Sequence, residues 1–118
     1  MGYHVVEIGL EPTVSTDNPM YVDRTDEHDI QKIARIIEGA DVFLGVDSAF
    51  AHLANCLGIY GILIFGKYKY FDKPMMYTGR YATGENATII FAEKDQPAES
   101  VTVDTVFNTF KIRCLKNE

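Results

Sequence analysis

Residues 41–58 read Asp41-Val42-Phe43-Leu44-Gly45-Val46-Asp47-Ser48-Ala49-Phe50-Ala51-His52-Leu53-Ala54-Asn55-Cys56-Leu57-Gly58. The first part is nearly all apolar, as expected of a strand covered on both faces of a parallel sheet. Asp47 and Ser48 follow at once, and either short polar side chain can cap a helix N-terminus. Ala49 to Leu57 then reads as that helix, closed by Gly58. A strand passes directly into a helix at 47–48, which is the junction of a βαβ unit.

The pattern continues on both sides. Upstream, Ile30, Ile33, Ala34, Ile36 and Ile37 recur at three- and four-residue spacing and predict an amphipathic helix, capped by Thr25 or Asp26 and ended by Gly39. Before it, Tyr3 to Ile8 reads as a buried core strand, Glu11 to Pro19 as a loop, and Met20-Tyr21-Val22 as a brief strand. Downstream, 61–66 reads as another buried strand, Lys67 to Glu85 as a long polar and aromatic loop, and Thr88 to Phe91 as a further strand. Val103, Val106, Phe107, Phe110 and Cys114 then form a helical stripe. Strands alternating with helices predict an α/β fold, a Rossmann-like and mainly parallel sheet with flanking helices and right-handed crossovers.

Composition narrows the class. The 118 residues suit one domain spanning 1–118. Lys plus Arg is 11 against 17 for Asp plus Glu, a net charge of −6 that argues against nucleic acid and anionic membrane surfaces as partners. A hydrophobic share of 47% is enough to build a core. The N-terminus lacks the basic start of a secretory signal, position 6 is Val rather than the residue myristoylation needs, and the apolar run 57–65 is far short of the ~20 residues of a membrane span. Cys56 and Cys114 have no paired-ligand spacing and fit reduced thiols on apolar helix faces. His4, His28 and His52 show no metal-ligand spacing, and no dinucleotide, P-loop or hydrolase-elbow motif is present, so neither a metal nor a cofactor is expected.

In an open parallel sheet, ligands bind beyond the carboxyl ends of the strands. Two turns meet that condition. At 45–52 the first backbone N–H groups of the helix attract phosphate, Ser48 can add a hydrogen bond, and His52 lies one turn further along. The plainer reading makes Asp47 and Ser48 helix caps and His52 an ordinary, partly buried helix residue. Asp47 carries the wrong sign for direct phosphate contact and suits capping or a sugar hydroxyl. The second turn, Gly66-Lys67-Tyr68-Lys69-Tyr70-Phe71-Asp72-Lys73-Pro74, interleaves three lysines with three aromatic rings. Such a loop can hold phosphates and stack on flat rings, or simply be solvated with its rings packed down.

Residues 40–58 resemble the donor-binding half of the family 9 glycosyltransferases, the heptosyltransferases of lipopolysaccharide inner-core biosynthesis. Their pattern is an apolar strand, Asp-[Ser/Thr]-Gly-x-x-His-Leu-Ala, a short helix ending near Leu-Gly, a second apolar strand and Phe-Gly, here Phe65-Gly66. The helix 30–40 with Ile33-Ala34-Arg35, and Val5-Val6-Glu7-Ile8-Gly9, extend the likeness across nearly the whole chain. The resemblance implies the C-terminal, Rossmann-like half of a GT-B fold, binding a nucleotide-sugar such as ADP-heptose. It implies Asp47, Ser48, the Ala49 backbone and His52 around the diphosphate and sugar, Gly66 and Lys67 at the donor site, His28 near the nucleoside and Glu11 near ribose hydroxyls.

Two residues depart from the pattern. Ala49 stands where the family has Gly, and Lys67 where Pro usually follows Phe-Gly. The acceptor-binding half and its catalytic base are not among these residues. No catalytic residue is therefore expected in this chain, which reads as a fragment or split-enzyme partner, inactive by itself, of an inverting transferase. The expected partners are a nucleotide-sugar, the missing acceptor half and a second copy of the chain, in the cytoplasm or peripheral to the inner membrane. The competing readings are a non-catalytic nucleotide-sugar-binding module and a protein-interaction module whose pocket has decayed.

Overall fold

The computed structural model describes residues 3–67 and 77–115. Its elements are β1 (Val5–Glu7), β2 (Tyr21–Asp23), α1 (Ile30–Glu38), β3 (Val42–Val46), α2 (Ala49–Cys56), β4 (Tyr60–Phe65), α3 (Gly79–Thr83), β5 (Ala87–Phe91), a 3-10 turn (Ala98–Ser100) and α4 (Val103–Leu115). They fall into two compact units, residues 1–36 and 37–118.

In the first unit β1 and β2 pair in parallel, Val5 opposite Tyr21 and Glu7 opposite Asp23. The returning loop is tied to β1 by the Glu7 carboxylate, which accepts Thr13 N–H at 3.1 Å, Thr13 Oγ1–H at 2.5 Å and the Tyr21 hydroxyl. The Thr13 and Tyr21 hydroxyls hold the Glu7 carboxyl below its ordinary range, and the same bond pushes the Tyr21 phenol up to about 12. β1 is not the buried core strand expected: Val5 and Val6 are 58% and 44% exposed, because among the described residues its sheet has two strands and leaves their faces open. The α1 cap also differs. Thr25 is buried and gives both its N–H and its hydroxyl to Asp23, at 2.8 and 2.6 Å. Asp29 caps instead, accepting Gln31 N–H at 2.9 Å. The helix starts a turn later than its flanking polar residues suggest.

In the second unit three parallel strands run in the order β3-β4-β5, Val46 opposite Ile64 and Ile64 opposite Ile90. The β3-α2-β4 crossover follows from the quoted stretch: Ser48 caps α2, and Gly58, at φ +76, ends it in the left-handed conformation. Ala51 and Ala54 are fully buried, small enough for α2 to lie close on the sheet. On that face Gly61 makes room for Tyr81, whose phenol donates to Ile59 O at 2.5 Å; a Cβ at Gly61 would sit at the same distance from Tyr81 Oη. Burial pushes the Tyr81 phenol up to about 12. On the opposite face the Arg113 guanidinium of α4 lies 4.0 Å from the Tyr60 ring centroid.

β3 is not covered on both faces. Among the described residues it is the sheet edge, and Leu44 and Val46 are 51% and 49% exposed. The stretch read as one loop from Lys67 to Glu85 contains α3, entered at Gly79 (φ +61) and left at Gly84 (φ +80). Cys56 is exposed at the end of α2 rather than packed in an apolar face.

Candidate functional site at the start of helix α2

Val46 is the last residue of β3 and Ala49 the first of α2, so Asp47 and Ser48 form the whole turn between them. Ser48 is extended, and its Oγ accepts Ala51 N–H at 3.4 Å. His52 N–H bonds Ser48 O at 3.2 Å, which leaves the N–H groups of Ala49 and Phe50 without a bond inside the helix. These amides and the positive end of the helix dipole face the carboxyl edge of the sheet, a setting suited to an anion.

Side chains complete the turn. His52 lies one helical turn beyond Ser48, and helical side chains lean toward the N-terminus, so its ring reaches back over the turn. Its Nε2 stands 3.9 Å from Asp47 Oδ1, is buried, and has no hydrogen-bond partner among the described residues. The residue that the sequence did not single out is Tyr77. Its ring stacks on His52 with centroids 4.2 Å apart and 21° between planes, and lies near-parallel to Phe65 at 5.8 Å. Its hydroxyl donates to Asp47 Oδ1 at 2.9 Å. Burial, then the bond to Asp47, holds the Tyr77 phenol far above its ordinary range, while the Ser48 backbone N–H pulls the other way. At neutral pH the phenol therefore keeps its proton and donates it. The one sequence signal for Tyr77 was the aromatic character of the segment before α3.

Gly66 and Lys67 stand at the carboxyl end of β4, next to β3. Lys67 N–H donates to Gln96 O at 2.8 Å, and Lys67 Nζ lies 3.9 Å from Asp95 Oδ1 in an exposed pair. A Cβ on Gly66 would come within 2.1 Å of Ala98 N, so glycine here is required by the loop that crosses it. Ala49, exposed, opens α2. Glu11 and His28, both exposed, belong to the first unit, Glu11 in the loop after β1 and His28 just before α1. The lysines and rings of 68–74 lie outside the described residues. Among the described residues no group of three or more His, Cys, Asp or Glu could hold a metal, and no helix is long and apolar enough to cross a membrane.

A parallel sheet flanked by helices, with a capped polar turn at the carboxyl end of its edge strand, defines a Rossmann-like α/β domain. The family model for glycosyltransferase family 9 (heptosyltransferase) matches residues 20–108, and the chain belongs to that family. The match takes in the whole β3-α2 turn, Tyr77, Gly66, Lys67 and His28; Glu11 lies before it. No curated protein and no solved structure matches the chain.

Proposed function

We propose that the second unit is the donor-binding part of a glycosyltransferase and holds the diphosphate of a nucleotide-sugar at the start of α2. The observation that carries this is a polar set at one helix end: two N–H groups without partners inside the helix and a buried imidazole nitrogen with no hydrogen-bond partner among the described residues, in a chain of glycosyltransferase family 9. A heptose linked to ADP is the donor class that the family suggests, and a surface polysaccharide such as lipopolysaccharide is the acceptor class.

The reaction proposed is an inverting displacement. An acceptor hydroxyl oxygen attacks the anomeric carbon, its proton passing to a base, while the bond from that carbon to the diphosphate oxygen breaks and the electron pair leaves with the nucleoside diphosphate. Residues of this unit serve the leaving group. The Ala49 and Phe50 amides, the Ser48 hydroxyl and His52 Nε2 stabilise charge as it grows on the diphosphate, with Lys67 at the neighbouring strand end as a further cation. Well-placed donors of this kind contribute a few kcal/mol each to such a step. The base and the acceptor site belong to residues other than these, so the 118 residues alone bind donor without turning it over. The cytoplasm is the compartment in which such a donor would be met.

Calorimetric titration with ADP, GDP and UDP tests the reading, using the wild-type chain and the Ser48→Ala and His52→Ala variants. Saturable binding of one nucleotide, weakened about tenfold in each variant, is the expected result. No binding at millimolar nucleotide by a folded chain would overturn it in favour of a protein-interaction module.

A further inference from the structure

We propose that Tyr77 is the positioning residue of this site: its hydroxyl engages Asp47 and its ring fixes His52, so that the carboxylate and the imidazole do not pair and Nε2 stays available to a ligand's anionic oxygen. The inference rests on the donor-site reading for its ligand, though not for its geometry.

Asp47 Oδ1 takes the Tyr77 hydroxyl at 2.9 Å, whereas His52 Nε2 stands 3.9 Å from that same oxygen, beyond hydrogen-bonding reach. Both groups face the same carboxylate oxygen, and of the two the phenol is the one within hydrogen-bonding distance. The face of the imidazole lies on the Tyr77 ring at 4.2 Å and 21°, and Tyr77 is itself only 8% exposed and backed by Phe65, so the ring sets the plane of the imidazole while the hydroxyl engages Asp47. One side chain therefore controls both polar partners. It also eases a conflict of sign. A diphosphate at the start of α2 would be repelled by Asp47, and a donor on that carboxylate offsets part of the repulsion. Removing the hydroxyl should let His52 bond to Asp47, leaving the carboxylate in place and the imidazole occupied.

The test is the long-range 1H–15N spectrum of the histidine rings, assigned with His52→Ala, in wild type and Tyr77→Phe. Phenylalanine keeps the ring and removes only the oxygen. The expected result is a shift of the His52 nitrogens, with His4 and His28 unchanged, that vanishes when Tyr77→Phe is made in an Asp47→Asn background. Unmoved His52 signals, or the same shift without the carboxylate, would overturn the proposal. Cross-relaxation between the Tyr77 and His52 ring protons in the wild-type chain is the second measurement, and its absence would overturn the proposal even where Tyr77→Phe does not fold. Calorimetry on Tyr77→Phe separates the two claims. Affinity for the nucleoside diphosphate should fall about tenfold with the parent nucleoside unaffected. If the wild type binds no nucleotide while the His52 signals respond as expected, the donor reading falls and the positioning role stands.

Discussion

Gly66, at the carboxyl end of β4, belongs to the proposed donor site and also meets a packing constraint. The loop 96–98 crosses so closely that an added methyl would fall 2.1 Å from Ala98 N and 2.4 Å from Pro97 C, backbone atoms that cannot rotate away. Gly66→Ala is therefore expected to lower unfolding stability by about 1–3 kcal/mol, the usual cost of forcing extra volume into a packed site. Urea unfolding checks this, and a variant as stable as wild type would show that the loop yields. Ser48→Ala should cost about 1 kcal/mol through the lost cap, besides its effect on nucleotide. From residue type and position the helix start at Asp47 and Ser48 was legible, whereas a donor-site role for them and for His52 was legible only through the resemblance to family 9. Tyr77 was not, because its contact with Asp47 spans 30 positions and depends on how the chain returns to α2 after β4.

Among the elements, the β3-α2-β4 unit was readable because its signals are local: an apolar run, a serine cap and a terminating glycine. α3 was missed because it has only five residues and lies between glycines, too short to show a periodic stripe. α1 was misplaced at its start because Thr25, an excellent cap by type, is buried against Asp23. Burial of β1 and β3 was overread, since an apolar run does not distinguish a central strand from an edge. Packing of α3 onto Gly61 through Tyr81 also makes a pH-dependent contribution. A phenol raised from an ordinary 10 to about 12 in the folded chain favours the protonated state there. Its contribution to stability is complete below pH 10 and is lost as pH rises through 12. Unfolding of wild type and Tyr81→Phe across pH 8 to 12 should give a difference that is constant to about pH 10 and then shrinks. At neutral pH the variant should be less stable by about 1 kcal/mol for the lost bond to Ile59 O. A difference that does not change with pH would contradict this.

For the molecule as a whole, a net charge of −6 means that no broad positive field gathers a phosphorylated ligand. Attraction has to be local, and the donor site proposed above would supply it through the backbone N–H groups where α2 begins. The family match over residues 20–108 and the parallel α/β architecture agree on the class of protein, while the composition alone argued only against nucleic acid and anionic membranes. The most direct measurement of the central claim is a 15N-labelled amide spectrum of the chain titrated with ADP, GDP and UDP in turn. One nucleotide is expected to shift the Ala49 and Phe50 amides and the His52 ring saturably and together, with the β1 and β2 amides unmoved. Saturable shifts confined to residues away from 47–52, or none with any of the three on a folded chain, would contradict it.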